Sequence, residues 1–282
     1  TRSFSSETSP IKHTLVLEYQ KALATKALSW FRASPLRNAI RSTYYQSGRS
    51  RRRTDGFGYS GGNGRWDFFQ RYLSSIPSRW IFYGILGINV LVYGAWRYSD
   101  MYWQFRDPSR VFFMLKHFTV SWDNFKQECI WTLITSCFSQ SSATHALMNG
   151  LTFYFMAPAV LDLLGNARFL GLYLGGGLIA SAVSLAWNHL TSGNPNYRSH
   201  GASGAILSTV AFFACAFPRT QFLVFFIVPV PAWACITGLF AWDLYSTVVR
   251  RQGSTVDSAG HVGGIVAGVL YCLRLRYKGF LV

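Results

Sequence analysis

The chain has 282 residues, of which 50% are hydrophobic, 17% aromatic and only 13% charged. Because soluble domains carry about 25% charged residues, this composition excludes an ordinary soluble protein. Apolar blocks about twenty residues long, the length that crosses a hydrocarbon core, instead predict an integral membrane protein.

The N-terminal region, residues 1–79, holds much of the net charge of +16, with fourteen Lys or Arg and four acidic residues. This Arg-rich, Ser-rich composition is typical of a mitochondrial targeting segment, and we expect the region to be partly disordered. An amphipathic helix is predicted over residues 14–31 and a linker over 56–64, which contains five glycines. Anionic lipid explains the basic run at 51–53, so we predict no nucleic-acid binding.

Six apolar segments follow and predict an all-α, polytopic bundle of six transmembrane helices over residues 80–275. Residues 97–140 are too polar to span but rich in Trp and Phe, which predicts a segment at the membrane interface. A short basic tail is predicted at 276–282. The predicted spans are 81–96, 144–164, 168–188, 201–217, 221–244 and 258–274.

The distribution of positive charge predicts the orientation of this bundle. Six helices leave both termini on one side, which then carries nineteen Lys and Arg, whereas the opposite side carries eight. The positive-inside rule therefore predicts that both termini face the matrix or the cytoplasm.

The cysteines show no C-x-x-C pair and no spacing typical of metal ligands. Most lie in or beside apolar segments, where Cys packs as a small hydrophobic residue. We predict no disulfide framework and no metal for Cys129, Cys137, Cys215, Cys235 and Cys272.

Polar side chains within membrane segments are costly and mark candidate functional sites. His145 and Asn149 open the second segment on one helix face, Ser203 opens the fourth and His261 opens the sixth. Segments two, four and six run in the same direction, so residues near their starts share one depth in the membrane. The sequence therefore predicts that these four side chains converge on one water-accessible cavity.

This set of residue types favours nucleophilic catalysis. A serine hydroxyl is a weak nucleophile until a base takes its proton, and neutral His is the usual base, so Ser203 and His261 are the candidate pair. Asn149 and His145 are predicted to stabilise the oxyanion formed in acyl transfer.

Four glycines are predicted to shape the surroundings of this pair. Gly201 and Gly204 let a substrate backbone approach the serine between them. Gly264 and Gly268 form a small-residue face that lets the sixth helix close on the fourth.

Each of these residues alone also has an ordinary structural interpretation. A membrane serine often bonds its own backbone, and a lone His or Asn often joins two helices. His200 is a rival base, but it adjoins the polar loop 191–198 and is expected to be solvent-exposed. Asp243 is expected to make a helix-end or interface contact, and Asp257 is an open alternative for orienting His261.

At these residues the chain resembles the rhomboid family of intramembrane serine proteases. The resemblance covers residues 80–275, and the sequence of residues 199–206 (SHGASGAI) is most similar to the mitochondrial inner-membrane branch. It rests on three motifs, Phe138-Ser139 with His145-Ala146-Leu147-Met148-Asn149, Gly201-Ala202-Ser203-Gly204, and Gly260-His261-Val262-Gly263-Gly264.

The resemblance implies a serine endopeptidase with Ser203 as nucleophile, His261 as general base and no cofactor. Asn149, His145 and the Ser203 backbone N–H would form the oxyanion site. The implied partners are the lipid bilayer and single-span membrane substrates with helix-destabilising residues near the cut. The oligomeric state is not predicted. The implied location is the mitochondrial inner membrane, in a multi-pass arrangement.

Two other functions stay open as alternatives. One is a proteolytically silent rhomboid-like protein that binds or extracts transmembrane clients. The other is a transporter, although no inverted repeat or pair of broken helices is found.

Three departures from the family pattern are relevant. Gln140 stands where many relatives carry His, which is expected to modulate activity. Leu207 stands where some bacterial relatives place an aromatic ring against the histidine. The mitochondrial branch usually has an extra helix before the core, and no such span is predicted before Ile81.

Overall fold

The computed structural model describes residues 65–191, 197–224, 228–249 and 257–281. The predicted amphipathic helix at 14–31 and the glycine linker at 56–64 lie outside these ranges. Nearly all described residues belong to one unit, Asn63–Phe222 with Pro229–Val282. A second unit, Thr1–Gly62 with Leu223–Val228, is described at only a few positions.

The described elements are mostly helices, as the all-α prediction requires, and two short strands are the exception within these ranges. In chain order they are α1 (Arg65–Ser75), α2 (Ser78–Gln104), α3 (Ser109–Phe118), α4 (Trp122–Lys126), α5 (Thr132–Thr135), a 3-10 turn (Ser136–Phe138), α6 (Ala143–Thr191), α7 (Ser203–Ala216), β1 (Gln221–Val224), β2 (Val228–Pro231), α8 (Ala232–Val249) and α9 (Ser258–Tyr277).

Helix α1 lies inside residues 1–79, the N-terminal region that was expected to be partly disordered. Helices α1 and α2 are bent by 87° at a short break. Pro77 sits in the break, and proline disfavours helix at the residue before it. Asn166 holds the bend, because its side-chain Nδ2 donates to the carbonyls of Leu73 (2.7 Å) and Ile76 (2.6 Å). Helix α2 continues to Gln104, beyond the predicted end of the first span.

Helix α6 contains a sharp break at Gly165, where φ is 71° and ψ is 169°. A residue with a Cβ atom rarely adopts a positive φ, so glycine suits this position. The whole element has 49 residues, which corresponds to about 73 Å of helix and exceeds twice the thickness of a hydrocarbon core. The second and third predicted spans lie on either side of the break.

The predicted fifth span, 221–244, was wrong at its start. Residues there form β1 and β2, a two-stranded sheet, and α8 begins only at Ala232. Pro229 and Pro231 explain the difference, since each lacks a donor and restricts the residue before it. The Ala232 backbone N–H donates to the Thr220 carbonyl (2.7 Å) where the sheet ends and the helix starts.

Three helices in the described part of the chain, α6, α8 and α9, are long and apolar enough to cross a membrane, or four when the bent pair α1–α2 counts as one span. Helix α7 is apolar but has only 14 residues. Outward-facing side chains such as Leu91, Trp233 and Leu270 are 74%, 55% and 59% exposed, which fits lipid contact. The count of six spans stays a prediction.

Helix α7 lies at the centre of the packing, and α9 approaches it very closely through glycines. A methyl group at Gly264 would fall within 3.0 Å of the Gly204 backbone, and one at Gly268 within 3.0 Å of the Ser208 backbone. A methyl group at Gly204 would overlap the Ala180 side chain. These contacts leave no room for larger residues and hold the start of α9 beside the start of α7.

Gly264→Ala is therefore expected to destabilise the protein by about 1–3 kcal/mol, because the added methyl group forces the two backbones apart. The matched control is Gly238→Ala in α8, where a Cβ atom meets nothing within 4 Å. That change is expected to be neutral or to stabilise by about 0.5–1 kcal/mol. Denaturant titration of both variants in detergent measures the difference, and equal stabilities would contradict the packing described above.

Candidate active site

Ser203 is the first residue of α7, and its side chain faces the start of α9. The residue is 9% exposed, and its Oγ lies 2.8 Å from Nε2 of His261. No side chain caps the N-terminus of α7. The first backbone N–H groups of a helix have no partner within it, so α7 offers donors beside this serine.

Asp243 contacts the other nitrogen of the same imidazole ring. The distance from His261 Nδ1 to Asp243 Oδ2 is 3.1 Å, and Asp243 is only 5% exposed. With the proton on Nδ1, the histidine donates to the carboxylate and its Nε2 accepts from the Ser203 hydroxyl. The expectation that Asp243 makes only a helix-end or interface contact was therefore wrong.

Asp257, the open alternative for orienting His261, contacts other groups. Its side chain caps α9 by accepting from the Gly260 backbone N–H (2.9 Å), and it also accepts a hydrogen bond from the Ser199 hydroxyl. A short acidic side chain at this position is a preferred helix cap. The carboxylate at the imidazole ring belongs to Asp243.

His145 lies next to the serine, at the start of α6. A Cβ atom built on Gly201 would lie 3.5 Å from Cε1 of His145 and 3.4 Å from Oγ of Ser203. Glycine at 201 therefore leaves an open space between these two side chains. The starts of α6, α7 and α9 thus lie close together around Ser203.

Asn149 is placed differently from the other three predicted residues. Its Nδ2 donates to Oε1 of Gln140 (3.1 Å), and Nε2 of Gln140 donates to Oδ1 of Asn89 in α2 (3.1 Å). Asn149 lines a pocket on the α2 side, whereas Ser203 and His261 line a separate cleft. Its amide has two N–H donors, of which Gln140 takes one.

Two of the three departures from the family pattern, Gln140 and Leu207, lie among the described residues. Gln140 is 2% exposed and joins Asn149 to Asn89, a role in which its two-ended amide both accepts and donates. Leu207 is half-buried and packs against the main hydrophobic core.

His200 was expected to be solvent-exposed, and that expectation was wrong. Its ring stacks on Trp96 at 5.3 Å between centroids, and its Nε2 lies 3.0 Å from Oγ of Ser141. Trp96 is itself held by a hydrogen bond to Ser139 (2.7 Å). Burial lowers the pKa of His200 to about 4, and the nearby His145 acts in the same direction. A ring held this way is a poor proton acceptor for the serine.

The lowered pKa of His200 predicts a pH-dependent stability. The ordinary pKa of His is about 6.5, and the folded-state pKa of His200 is about 4. Between these two values the unfolded chain binds a proton that the folded chain excludes, so the free energy of unfolding decreases as the pH is lowered through this window. At pH 5 the loss from this group is expected to be about 2 kcal/mol relative to pH 7. Chemical unfolding of wild type and His200→Gln at both values tests this. An equal loss in the variant would contradict the assignment to His200.

A signal for Asp243 was present in the sequence. The fifth span runs opposite to the fourth and sixth, so its C-terminal end lies at the depth where the other two begin. Asp243 lies near that end, six residues before Val249. The same depth argument that selected Ser203 and His261 therefore applies to this acid.

A metal site among the described residues would need several His, Cys, Asp or Glu side chains close together. No group of three or more His, Cys, Asp or Glu side chains is suitably placed there. All five cysteines are free thiols.

The long apolar helices define a helical membrane protein, and Ser203 and His261 form a serine–histidine pair at the starts of two of its helices. A family model for the Rhomboid domain matches residues 127–278, and the chain belongs to the rhomboid family.

Mitochondrial members of that family are among its relatives. "Rhomboid protein 1, mitochondrial" of Saccharomyces cerevisiae is 30% identical over 201 residues, covering 71% of this chain and 54% of the yeast protein. "RHOMBOID-like protein 12, mitochondrial" of Arabidopsis thaliana is 26% identical, covering 77% and 66%. "Presenilin-associated rhomboid-like protein, mitochondrial" of Homo sapiens is 27% identical, covering 67% and 46%. These matches confirm the predicted resemblance to the mitochondrial branch, and they span roughly half to two thirds of each relative's length.

Proposed function

We propose that this chain is an intramembrane serine endopeptidase that cuts membrane-anchored proteins. The observation that carries the proposal is the 2.8 Å contact between Ser203 Oγ and His261 Nε2 at the ends of two apolar helices. A serine and a histidine in hydrogen-bond range form the basic unit of nucleophilic catalysis by serine.

In the proposed reaction Ser203 attacks the carbonyl carbon of a substrate peptide bond while His261 Nε2 takes the hydroxyl proton. The resulting imidazolium returns that proton to the leaving amine, which departs and leaves an acyl-serine ester. Water then attacks the ester with His261 again as base, releasing the acid and the free serine. Asp243 stabilises the imidazolium and keeps the proton of the neutral ring on Nδ1.

The oxyanion formed in the attack is proposed to bind at the start of α7. The Ser203 backbone N–H lies at a helix N-terminus, where partial positive charge favours an anion. His145 borders the space over Gly201 and supplies a second donor. Asn149 supplies a third if its remaining N–H turns from the α2-side pocket toward the serine, with Gln140 fixing the other N–H.

The proposed substrate class rests on the predicted depth of the site in the membrane. A transmembrane helix hides its peptide carbonyls in internal hydrogen bonds, so only a segment with helix-destabilising residues offers one to Ser203. We propose that such single-span proteins are cut in the mitochondrial inner membrane, by a core at 80–275 that follows a basic matrix-side region at 1–79. The names of the relatives support the mitochondrial location.

The test is labelling of the solubilised wild-type protein with a fluorophosphonate probe, followed by peptide mass spectrometry. We expect one modified residue, Ser203, because only a serine activated by a base reacts readily with this electrophile. Labelling at another serine, or none in a folded sample, would contradict the proposal. Binding of transmembrane clients without cleavage would then favour the proteolytically silent alternative.

A further inference from the structure

The segment that leads into Ser203 is held in place by hydrogen bonds to the interface region. Ser199 and Val120 form an antiparallel bridge, with Val120 N–H donating to the Ser199 carbonyl (2.7 Å) and Ser199 N–H to the Val120 carbonyl (2.8 Å). Gly201 N–H donates to the Ser136 carbonyl (3.0 Å). Backbone hydrogen bonds thus attach residues 199–201 to Val120 and Ser136 of the interface region.

The side chain of Ser199 points the other way, toward α9. Its hydroxyl donates to the Asp257 carboxylate, which also accepts from the Gly260 N–H (2.9 Å) at the start of that helix. Ser199 is 8% exposed, so little water competes for this hydrogen bond. A hydrogen bond to an ionised carboxylate is stronger than a neutral one.

Ser199 and Asp257 each lie four residues before one member of the reacting pair along the sequence. Ser199 precedes Ser203 by four residues, and Asp257 precedes His261 by four. Side-chain capping is absent at the start of α7 and is provided by Asp257 at the start of α9. The Gly264 contact with the Gly204 backbone packs the two helices together near this end, and the Ser199–Asp257 hydrogen bond joins the two chain segments that lead into them.

We propose that Asp257 is a positioning residue that, through Ser199, holds the segment bearing Ser203 against the start of α9 and so sets the Ser203–His261 distance. The proposal rests on the proposed proteolytic function and deepens it. Asp257 contacts neither the imidazole ring nor the reacting atoms, and it acts through the backbone on either side. Misplacement of reacting groups by about 1 Å can cost 10²-fold in rate, so loss of this contact should lower catalysis without removing it.

Ser199→Ala is the sharpest test, because it deletes the contact and leaves Asp257 free to cap α9. We expect kcat for a transmembrane substrate to fall about 10- to 100-fold with KM changed less than about 2-fold. The rate of fluorophosphonate labelling should fall by the same factor. Ser199→Thr, which keeps the hydroxyl, should recover most of the activity.

Asp257→Asn supplies a second route should Ser199→Ala fail to fold, since Asn also caps helices well. Its effect should not add to that of Ser199→Ala, because both remove one interaction. Ser208→Ala controls for loss of a buried hydroxyl elsewhere in α7, where the side chain bonds the Leu172 and Ala205 carbonyls. We expect wild-type kcat in this control.

Two failures are distinguishable in this design. A wild-type protein that carries no label at Ser203 overturns the proposed protease function and this proposal with it. A labelled wild type combined with normal kcat in Ser199→Ala, or with fully additive losses in the double variant, overturns the positioning role alone.

Discussion

Replacing Ser203 by Ala is expected to lower cleavage of a transmembrane substrate by roughly 10⁴-fold or more, because no other group can form the acyl ester. His261→Ala should cause a loss of similar size, since the hydroxyl 2.8 Å away then has no base. The double variant should be no worse than either single variant, because the two residues act as one unit.

Cleavage in liposomes with a helix-destabilised single-span substrate measures these losses. Ser208→Ala is the matched control, a buried serine on the same helix whose hydroxyl bonds backbone carbonyls, and it should cut at the wild-type rate. Unaltered cleavage by Ser203→Ala would refute the assigned nucleophile. Independent, additive losses in the double variant would refute the assigned pair.

Asp243→Asn is expected to lower kcat by roughly 10²- to 10⁴-fold while leaving the fold intact. The amide has nearly the same shape, but it can donate to Nδ1 and so favours the imidazole tautomer with its proton on Nε2. That tautomer cannot accept the Ser203 proton. The amide also carries no charge to stabilise the imidazolium that forms during attack.

The kinetics of Asp243→Asn should distinguish a site in which Asp243 assists His261 from a site that uses only Ser203 and His261. KM should change little, because Asp243 is 5% exposed and contacts the imidazole. Asp100→Asn is the control, since Asp100 pairs with Arg97 at an exposed position in α2. A normal kcat in Asp243→Asn would mean that Ser203 and His261 work without a third group.

Sequence alone could predict a helical membrane protein and could select the candidate residues of its site. A block of about twenty apolar residues crosses a bilayer as an α-helix, because a helix satisfies its backbone hydrogen bonds within the segment. Polar residues inside such blocks are few, and the alternating direction of successive spans gives each one a depth. That is why the sequence pattern selects Ser203, His261 and His145 as candidates.

The structure corrected the sequence interpretation wherever a side chain's partner came from a different part of the chain. Hydropathy cannot show that Trp96 stacks on His200, that Gln140 accepts a hydrogen bond from Asn149, or that two prolines replace the start of the fifth span by a two-stranded sheet. Depth likewise could not tell whether Asp243 or Asp257 faces the imidazole. Both acids are predicted near the same membrane face, and only the rotation of α8 about its axis and the packing of α9 determine which carboxylate reaches Nδ1. A sequence pattern fixes a residue's height along its helix, but which neighbour it touches depends on how whole helices pack, and that is a property of the tertiary structure.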